Sequence, residues 1–509
     1  MATATRIVRN FYRDSVSLMQ LSSRLAKLPG ITQASAIMAS EANLALLREA
    51  NLLGGTIEAG PNDLLIALAG DQGALEPAMA EAAAGFDAKP ASAGDFIRRQ
   101  KPRSLEMGLV EVPGANLALI STPGDYAAAE AEKALRLGLN VMLFSDNVAS
   151  ADEVALKRYA SSHDLMVMGP DCGTAIIGGV PLGFANVVRR GSIGVIGASG
   201  TGLQQVTCLV DRLGYGISHA IGTGGHDLSR DVGGITMLQG IKALAADAAT
   251  KVIVLISKPP ASEVADRVLD RARAAGKPVV VAFIGADPKT ITGPNVTHAK
   301  TLEDAAYLAV ALARGKSPRR VPPVKDIKRP RFRRAQKYVR GLYSGGTFCY
   351  EASLLLGKAL PLVFSNTPVG KAAPLADVWQ SAGNTLVDLG DDIFTRGRPH
   401  PMIDHRLRNE RIAREAADPE TAVILLDVVL GYGSHRDPAA EIVPVIAAAR
   451  KRSRKAGRPL VFVGFVCGTE GDPQGLARQE AALSEAGMLL ATSNAEAVRL
   501  AARLVGGAA

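Results

Sequence analysis

The chain is poor in aromatic side chains, which make up 4 % of its residues, and it holds only four cysteines. Cys172, Cys208, Cys349 and Cys467 lie far apart, with no C-x-x-C spacing among them. That pattern supports neither a disulfide framework nor a zinc site, so no metal centre is expected. Reduced thiols in a cytoplasmic protein are the plain expectation. No run of eighteen apolar residues occurs, which excludes a typical membrane-spanning helix, and residues 1–10 carry arginines without a signal-peptide-like apolar stretch behind them. What is abundant is Ala, Gly, Val and Leu, within an apolar fraction of 47 %. Small apolar side chains suit helices packed closely on sheets, and 509 residues are too many for one core, so three or four globular α/β domains are expected.

Positive charge is confined. The formal net charge is +9, yet residues 314–340 hold twelve Lys and Arg against Asp326 alone. That segment carries +11, which leaves −2 for the remainder. Its excess belongs to one stretch containing Pro318, Pro322, Pro323 and Pro330. A solvated linker or a subunit-docking segment is expected there rather than a nucleic-acid-binding surface.

Short apolar runs mark the strands. Residues 116–120 (NLALI), 140–144, 166–168, 192–196, 252–256 and 278–283 are β-branched or Leu-rich, and most lead into Ala-rich helical stretches. After the basic segment the pattern returns at 422–426 (AVILL) and 460–465. Strands without polar alternation are buried on both faces, as in parallel sheets covered by crossover helices. The first hundred residues differ. Strand-like 7–11, 33–38 and 63–69 flank a helix with Leu18, Leu21, Leu25 and Leu28 on one face, which fits a small α+β domain, ACT-like in outline.

Two loops could hold an anion. A buried strand runs into Ser199, Gly200, Thr201 and Gly202, and Leu203, Val206, Leu209 and Leu213 continue as a helix. Ser344, Gly345, Gly346 and Thr347 open a second helix after the basic segment. Glycines let backbone N–H groups converge, and a helix N-terminus adds partial positive charge, so phosphate fits either loop. A tight turn with an N-cap explains each loop equally well taken singly. Two such helix starts could hold one phosphate between them. A third segment, 396–409, packs four arginines, two histidines and Asp404 into fourteen residues. Pro399 and Pro401 flank His400, so Arg398, His400, Asp404 and Arg408 are the candidate catalytic residues. Asp427 and Cys467 each end a buried strand, where ligands meet open parallel sheets.

Gly169-Pro170-Asp171-Cys172-Gly173 resembles the G-P-N-C-P-G turn of succinyl-CoA synthetase α subunits. Residues 194–204 resemble their phosphate-facing helix start, and Ile221-Gly222-Thr223-Gly224-Gly225-His226-Asp227 their G-x-G-G-D segment. Residues 341–347 resemble a helix start in the β subunit's ligase domain. Phe11-Tyr12-Arg13-Asp14-Ser15-Val16-Ser17-Leu18-Met19, residues 222–234, Asp388-Leu389-Gly390-Asp391-Asp392 and residues 397–409 resemble FdrA-type proteins of that superfamily. The resemblance implies tandem doubly wound domains after the α+β domain of 1–105. These would be a Rossmann-like CoA-binding-type domain at 106–190, a flavodoxin-like ligase-type domain at 191–313, a linker at 314–340 and a second ligase-type domain at 341–509.

The pattern departs from the family in three places. The phosphohistidine loop is replaced by Val296-Thr297-His298-Ala299-Lys300, the early CoA glycine loop is missing, and no segment resembles an ATP-grasp domain. The FdrA resemblance implies a carbamoyltransferase subunit converting oxalurate and phosphate to oxamate and carbamoyl phosphate, together with partner subunits. In that reading arginines stabilise the oxyanion and His400 protonates the leaving amide. The alternatives are an ADP-forming acyl-CoA ligase and a non-catalytic scaffold subunit. No cofactor is required by the sequence. If the ligase alternative holds, CoA is expected at Pro123, Pro170 and Cys172. A small-molecule substrate is expected, and neither nucleic acid nor membrane.

Overall fold

The computed structural model describes residues 2–11, 13, 15–53, 55, 57–87, 102–316, 329–396 and 398–507. The proline-rich middle of the basic segment, 317–328, lies outside them.

The N-terminal unit is a three-stranded antiparallel sheet. Ala2–Val8 and Ile31–Met38 flank Leu64–Gly70, a strand buried at every residue, which its LLIALAG composition dictates. Helix Ser15–Leu25 sends Leu18 and Leu25 into this core, with Leu21 packed at its edge. The strand expected at 7–11 lies earlier in the sequence, because the antiparallel register pairs Val8 with Leu64 and the strand ends there.

Next comes a small parallel sheet, Leu117–Ile120, Asn140–Leu143 and Val167–Met168, with helices Gly124–Arg136 and Ser150–Ser162 as crossovers. The hairpin Thr174–Ile177 and Val180–Gly183 precedes residue 190 yet extends the following sheet, through pairing of Ile176 with Ala220. In that seven-stranded sheet the parallel strands are Arg190–Gly197, Ile217–Gly222, Val252–Ser257, Val279–Phe283 and Val296–His298. Their spatial order, with the second strand outside the first and the third to fifth on its other side, is the flavodoxin-like arrangement. The second seven-stranded sheet is parallel throughout. Tyr338–Tyr343 is its central strand, between Asn384–Asp388 and Thr421–Val429, with Val461–Cys467 beyond.

The two large sheets are not independent bodies. Helices Gly200–Arg212, Leu302–Ala313, Gly346–Ala359 and Asn494–Val505 lie between them. One apolar cluster runs from Val195 and Leu203 through Ala306 to Phe348, Val498 and Phe465.

The segment expected as a linker up to residue 340 ends sooner. Arg340 lies inside the strand Tyr338–Tyr343, fully buried, and pairs with Glu415 at 3.2 Å and Asp418 at 2.9 Å. Arg333 Nε donates to Gly457 O, and Arg314 donates to Leu213 O. Part of the apparent charge excess is therefore internal wiring.

Candidate functional site

Strand Arg190–Gly197 delivers Ser199 to the start of helix Gly200–Arg212, where Ser199 Oγ accepts the Gly202 N–H at 2.9 Å. Strand Tyr338–Tyr343 delivers Ser344 and Gly345 to helix Gly346–Ala359, which has no side-chain cap. The two starts meet. Ser199 Oγ and Thr347 Oγ1 are 2.5 Å apart, and a Cβ on Gly345 would sit 3.0 Å from Thr201 Cγ2. Only glycine allows so close an approach at that position. Both helix starts direct partial positive charge into one place.

The second loop is anchored from behind. Asp427 accepts the N–H of Ser344 at 2.9 Å and that of Gly345 at 2.8 Å, as well as the Ser344 hydroxyl. Arg408 Nη1 donates to Asp427 Oδ1 at 2.9 Å and to its carbonyl at 2.7 Å, and both side chains are fully buried. Arg408, expected among the catalytic residues, is engaged as a support for the Ser344–Gly345 loop. Asp404, also expected in the reacting centre, pairs with Arg406 at 2.6 Å and accepts the N–H of Arg406 at the start of helix Arg406–Ala417. Arg398 is exposed and lies over the Trp379 ring, 5.9 Å from its centroid. Spacing placed these three with His400, but each side chain turns to its own partner.

His400 does stand at the loop. A Cβ on Gly390 would lie 2.8 Å from His400 Nε2 and 2.9 Å from Ser344 O, and the His400 ring faces Phe184 at 6.4 Å. Its Nδ1 accepts the Met402 N–H at 3.2 Å, which leaves the proton on Nε2. Burial, then the Arg408 charge, pushes His400 down to about 4, so it is neutral at pH 7. An imidazolium donating its proton to a leaving amide is thereby disfavoured. A neutral Nε2–H hydrogen-bond donor remains. His298 lies elsewhere, on the edge strand three strand spacings from Arg190–Gly197, or about 14 Å.

Two residues not chosen as site candidates stand at the helix starts. Burial pushes the Asp388 carboxyl up to about 7, opposed by the Gly390 N–H it accepts at 3.0 Å. A Cβ on Gly346 would meet Asp388 Oδ2 at 2.8 Å. Lys258 follows strand Val252–Ser257, the neighbour of Arg190–Gly197. It is near enough to act on Asp388 and lies 5.3 Å from the Tyr350 ring centroid. Its position at the carboxyl end of a parallel strand was the available signal.

On the side expected to hold CoA, Pro123 precedes helix Gly124–Arg136, whose start also lacks a side-chain cap. Pro170 is buried after a cis peptide bond. Cys172 is buried, its thiol 3.4 Å from Gly222 O and pushed up to about 12 by burial, so it packs the turn and presents nothing to a ligand. Asp171 is raised to about 6 by burial, with Asp146 and Asp392 adding to the effect. These carboxylates disfavour further negative charge beside them. Behind this wall, fully buried Lys157 pairs with Asp227 and Glu153, each at 2.8 Å, and fixes the 222–227 segment. Asp227 of the G-x-G-G-D-like stretch is thus structural. Cys467 is also buried.

Family models agree with this layout in part. A CoA-ligase model matches residues 342–504, and a CoA-binding-domain model matches 188–285, later in the chain than the 106–190 expected. A model described as an AllF heavy metal-associated domain matches 1–102. That stretch has neither Cys nor His, so it lacks the ligands that soft metals prefer. Among the described residues no cluster of three or more His, Cys, Asp or Glu could hold a metal ion, and no helix is long and apolar enough to cross a membrane.

Among curated proteins, succinate–CoA ligase [ADP-forming] subunit alpha of Aquifex aeolicus is 28 % identical over 35 % of this chain and 58 % of its own length. A dinucleotide-forming acetyl-coenzyme A synthetase from Ca. Korarchaeum cryptofilum superposes with a TM-score of 0.35 at 15 % identity, over 82 % of this chain and 87 % of that one. YahF of Escherichia coli (strain K12) is 42 % identical over 99 % of both chains. On that end-to-end likeness, together with the two ligase-type models, the chain belongs to the family of fused succinyl-CoA-synthetase-like proteins that includes YahF.

Proposed function

We propose that this chain is the phosphate- and acyl-handling part of an ADP-forming acyl-CoA-ligase-type enzyme that works with partner subunits. The observation that carries the reading is the meeting of two glycine-rich helix starts at Ser199 and Thr347. A phosphate there would draw on backbone N–H groups and helix dipoles from both halves of the chain. Lys258 would offset its charge. Asp388, titrating near 7, would exchange a proton with a phosphate oxygen. Neutral His400 would donate its Nε2–H to the acyl oxygen as negative charge grows on it. CoA, when bound, supplies a thiol that accepts the acyl group, and the start of helix Gly124–Arg136, which has no side-chain cap, would hold one of its phosphates.

A second reading is direct carbamoyl transfer, oxalurate plus phosphate giving oxamate plus carbamoyl phosphate. The His400 tautomer favours it, since Nε2 carries the proton and is no phosphoryl carrier, while His298 sits on the far edge strand. Attack of phosphate on a ureido carbonyl needs no carrier. The test is to purify the chain with its partner subunits and supply phosphate with acyl-CoA thioesters or with ureido acids. Acyl phosphate formed from a thioester supports the ligase reading, and carbamoyl phosphate from a ureido acid supports the second. No phosphate-dependent product from either overturns both.

A further inference from the structure

The residues 11–19 that resemble FdrA-type proteins have no part in the site just described. Their described part lies on helix Ser15–Leu25 and its approach, outside the glycine loops. There, Arg13, Arg24 and Lys27 face Arg436 over a cleft of about 470 Å³, with Leu18, Leu21 and Ile403 as its apolar lining. Lys27 pairs with Glu441 at 2.7 Å. Among the described residues, Arg13, Arg24 and Arg436 have no carboxylate partner. Three arginines from two separate domains therefore converge on a concave surface. Among the described residues its lining holds no carboxylate, and Glu441 beside it is engaged by Lys27 and lies 3.9 Å from His435.

We propose that this cleft binds a small polyvalent anion with a short apolar portion, distinct from the phosphate of the glycine loops. The bound anion ties the N-terminal domain to the second large sheet. Like-charged arginines held together at a domain boundary repel one another, and an anion relieves that repulsion only when both domains are in place. Arginine forks suit carboxylate and phosphate alike.

The cleft also backs onto the catalytic loop. Ile403 N donates to His400 O at 2.8 Å, and His435 N donates to Met402 O at 2.8 Å. The His435 ring lies 5.4 Å from that of His405, whose Nδ1 is 3.1 Å from Arg408 Nη2. Arg408 in turn supports Ser344. The 400–405 loop thus has the anion cleft on one side and the glycine loops on the other, so occupancy of the cleft steadies the loop that carries His400.

The test is calorimetric titration of the full chain with inorganic pyrophosphate and, separately, with citrate, at fixed ionic strength. The two arms distinguish a phosphorylated ligand from a polycarboxylate. Arg24→Gln combined with Arg436→Gln should weaken whichever probe binds by at least tenfold, and should abolish the rise in melting temperature that the probe gives the wild type. Both arginines are exposed and their mutual repulsion is removed, so the melting temperature without probe should not fall. Gly200→Val, which alters only the glycine-loop site, should leave this binding intact. Equal affinity in the double variant, loss of binding in Gly200→Val instead, or no binding of either probe at millimolar concentration would overturn the proposal.

Discussion

Asp388 shows how much one buried group can decide. Its carboxyl lies against the glycine that opens helix Gly346–Ala359, and burial holds its pKa near 7 instead of the ordinary 3.8. Between about pH 4 and pH 7 the folded chain keeps a proton here that the unfolded chain has released. Asp388 therefore makes stability fall as pH rises through that window, and its penalty is complete above pH 7. Asp388→Asn should gain melting temperature relative to the wild type across this range and level off above it, while losing phosphate-dependent turnover. Equal pH dependence of the two proteins in thermal melts would show that Asp388 titrates normally.

His400 has the opposite character. Already neutral at pH 7, it should contribute no limb near 6.5 to the pH–rate profile. His400→Gln should lower kcat by about 100-fold with little change in KM, the pattern for a hydrogen bond made in the transition state. Steady-state kinetics between pH 5 and 8 would read both. The sequence exposed His400 through its flanking prolines. It could not separate His400 from Arg398, Asp404 and Arg408, because their partners Trp379 and Asp427 come from other elements, and even the Asp404–Arg406 pair depends on where the helix begins.

At the scale of elements, the two helix starts were legible one at a time: a buried strand, small residues, then an apolar helix face. Their meeting was not, because it depends on how the intervening helices pack. Gly200→Val should test the first start with a small local shift. Its Cβ would lie 3.2 Å from Thr174 Oγ1, which must give by a few tenths of an ångström, and would otherwise meet only Thr174 Cβ at 4.0 Å. The variant should fold and bind phosphate at least tenfold more weakly by calorimetry. Arg408→Met probes the support of the second start. It leaves Asp427 charged and buried without its cation, a change that costs about 3–5 kcal/mol. A clearly lower melting temperature is expected, and an unchanged one would mean that the pair does not brace the loop.

The whole molecule is where linear reading fell shortest. Apolar strands separated by helical stretches revealed tandem parallel sheets, since a strand buried on both faces has little choice of composition. The shared core could not be read, because Leu203, Ala306, Phe348 and Val498 each look like the inner face of a helix on its own sheet. The same blindness assigned Arg340 to a solvated linker, although Glu415 and Asp418 hold it inside the second sheet. If the core is common, residues 102–316 and 329–507 produced separately should be insoluble, and together should co-purify as one complex.

The central claim is that one anion sits between the helix starts at Ser199 and Thr347. Anomalous diffraction from crystals of the full chain soaked in selenate, a phosphate mimic with its own scatterer, locates that anion directly. The expected result is a peak within hydrogen-bonding distance of backbone N–H groups from both Gly200–Arg212 and Gly346–Ala359. Peaks only at the arginine cleft, or none between the two helix starts, would contradict it.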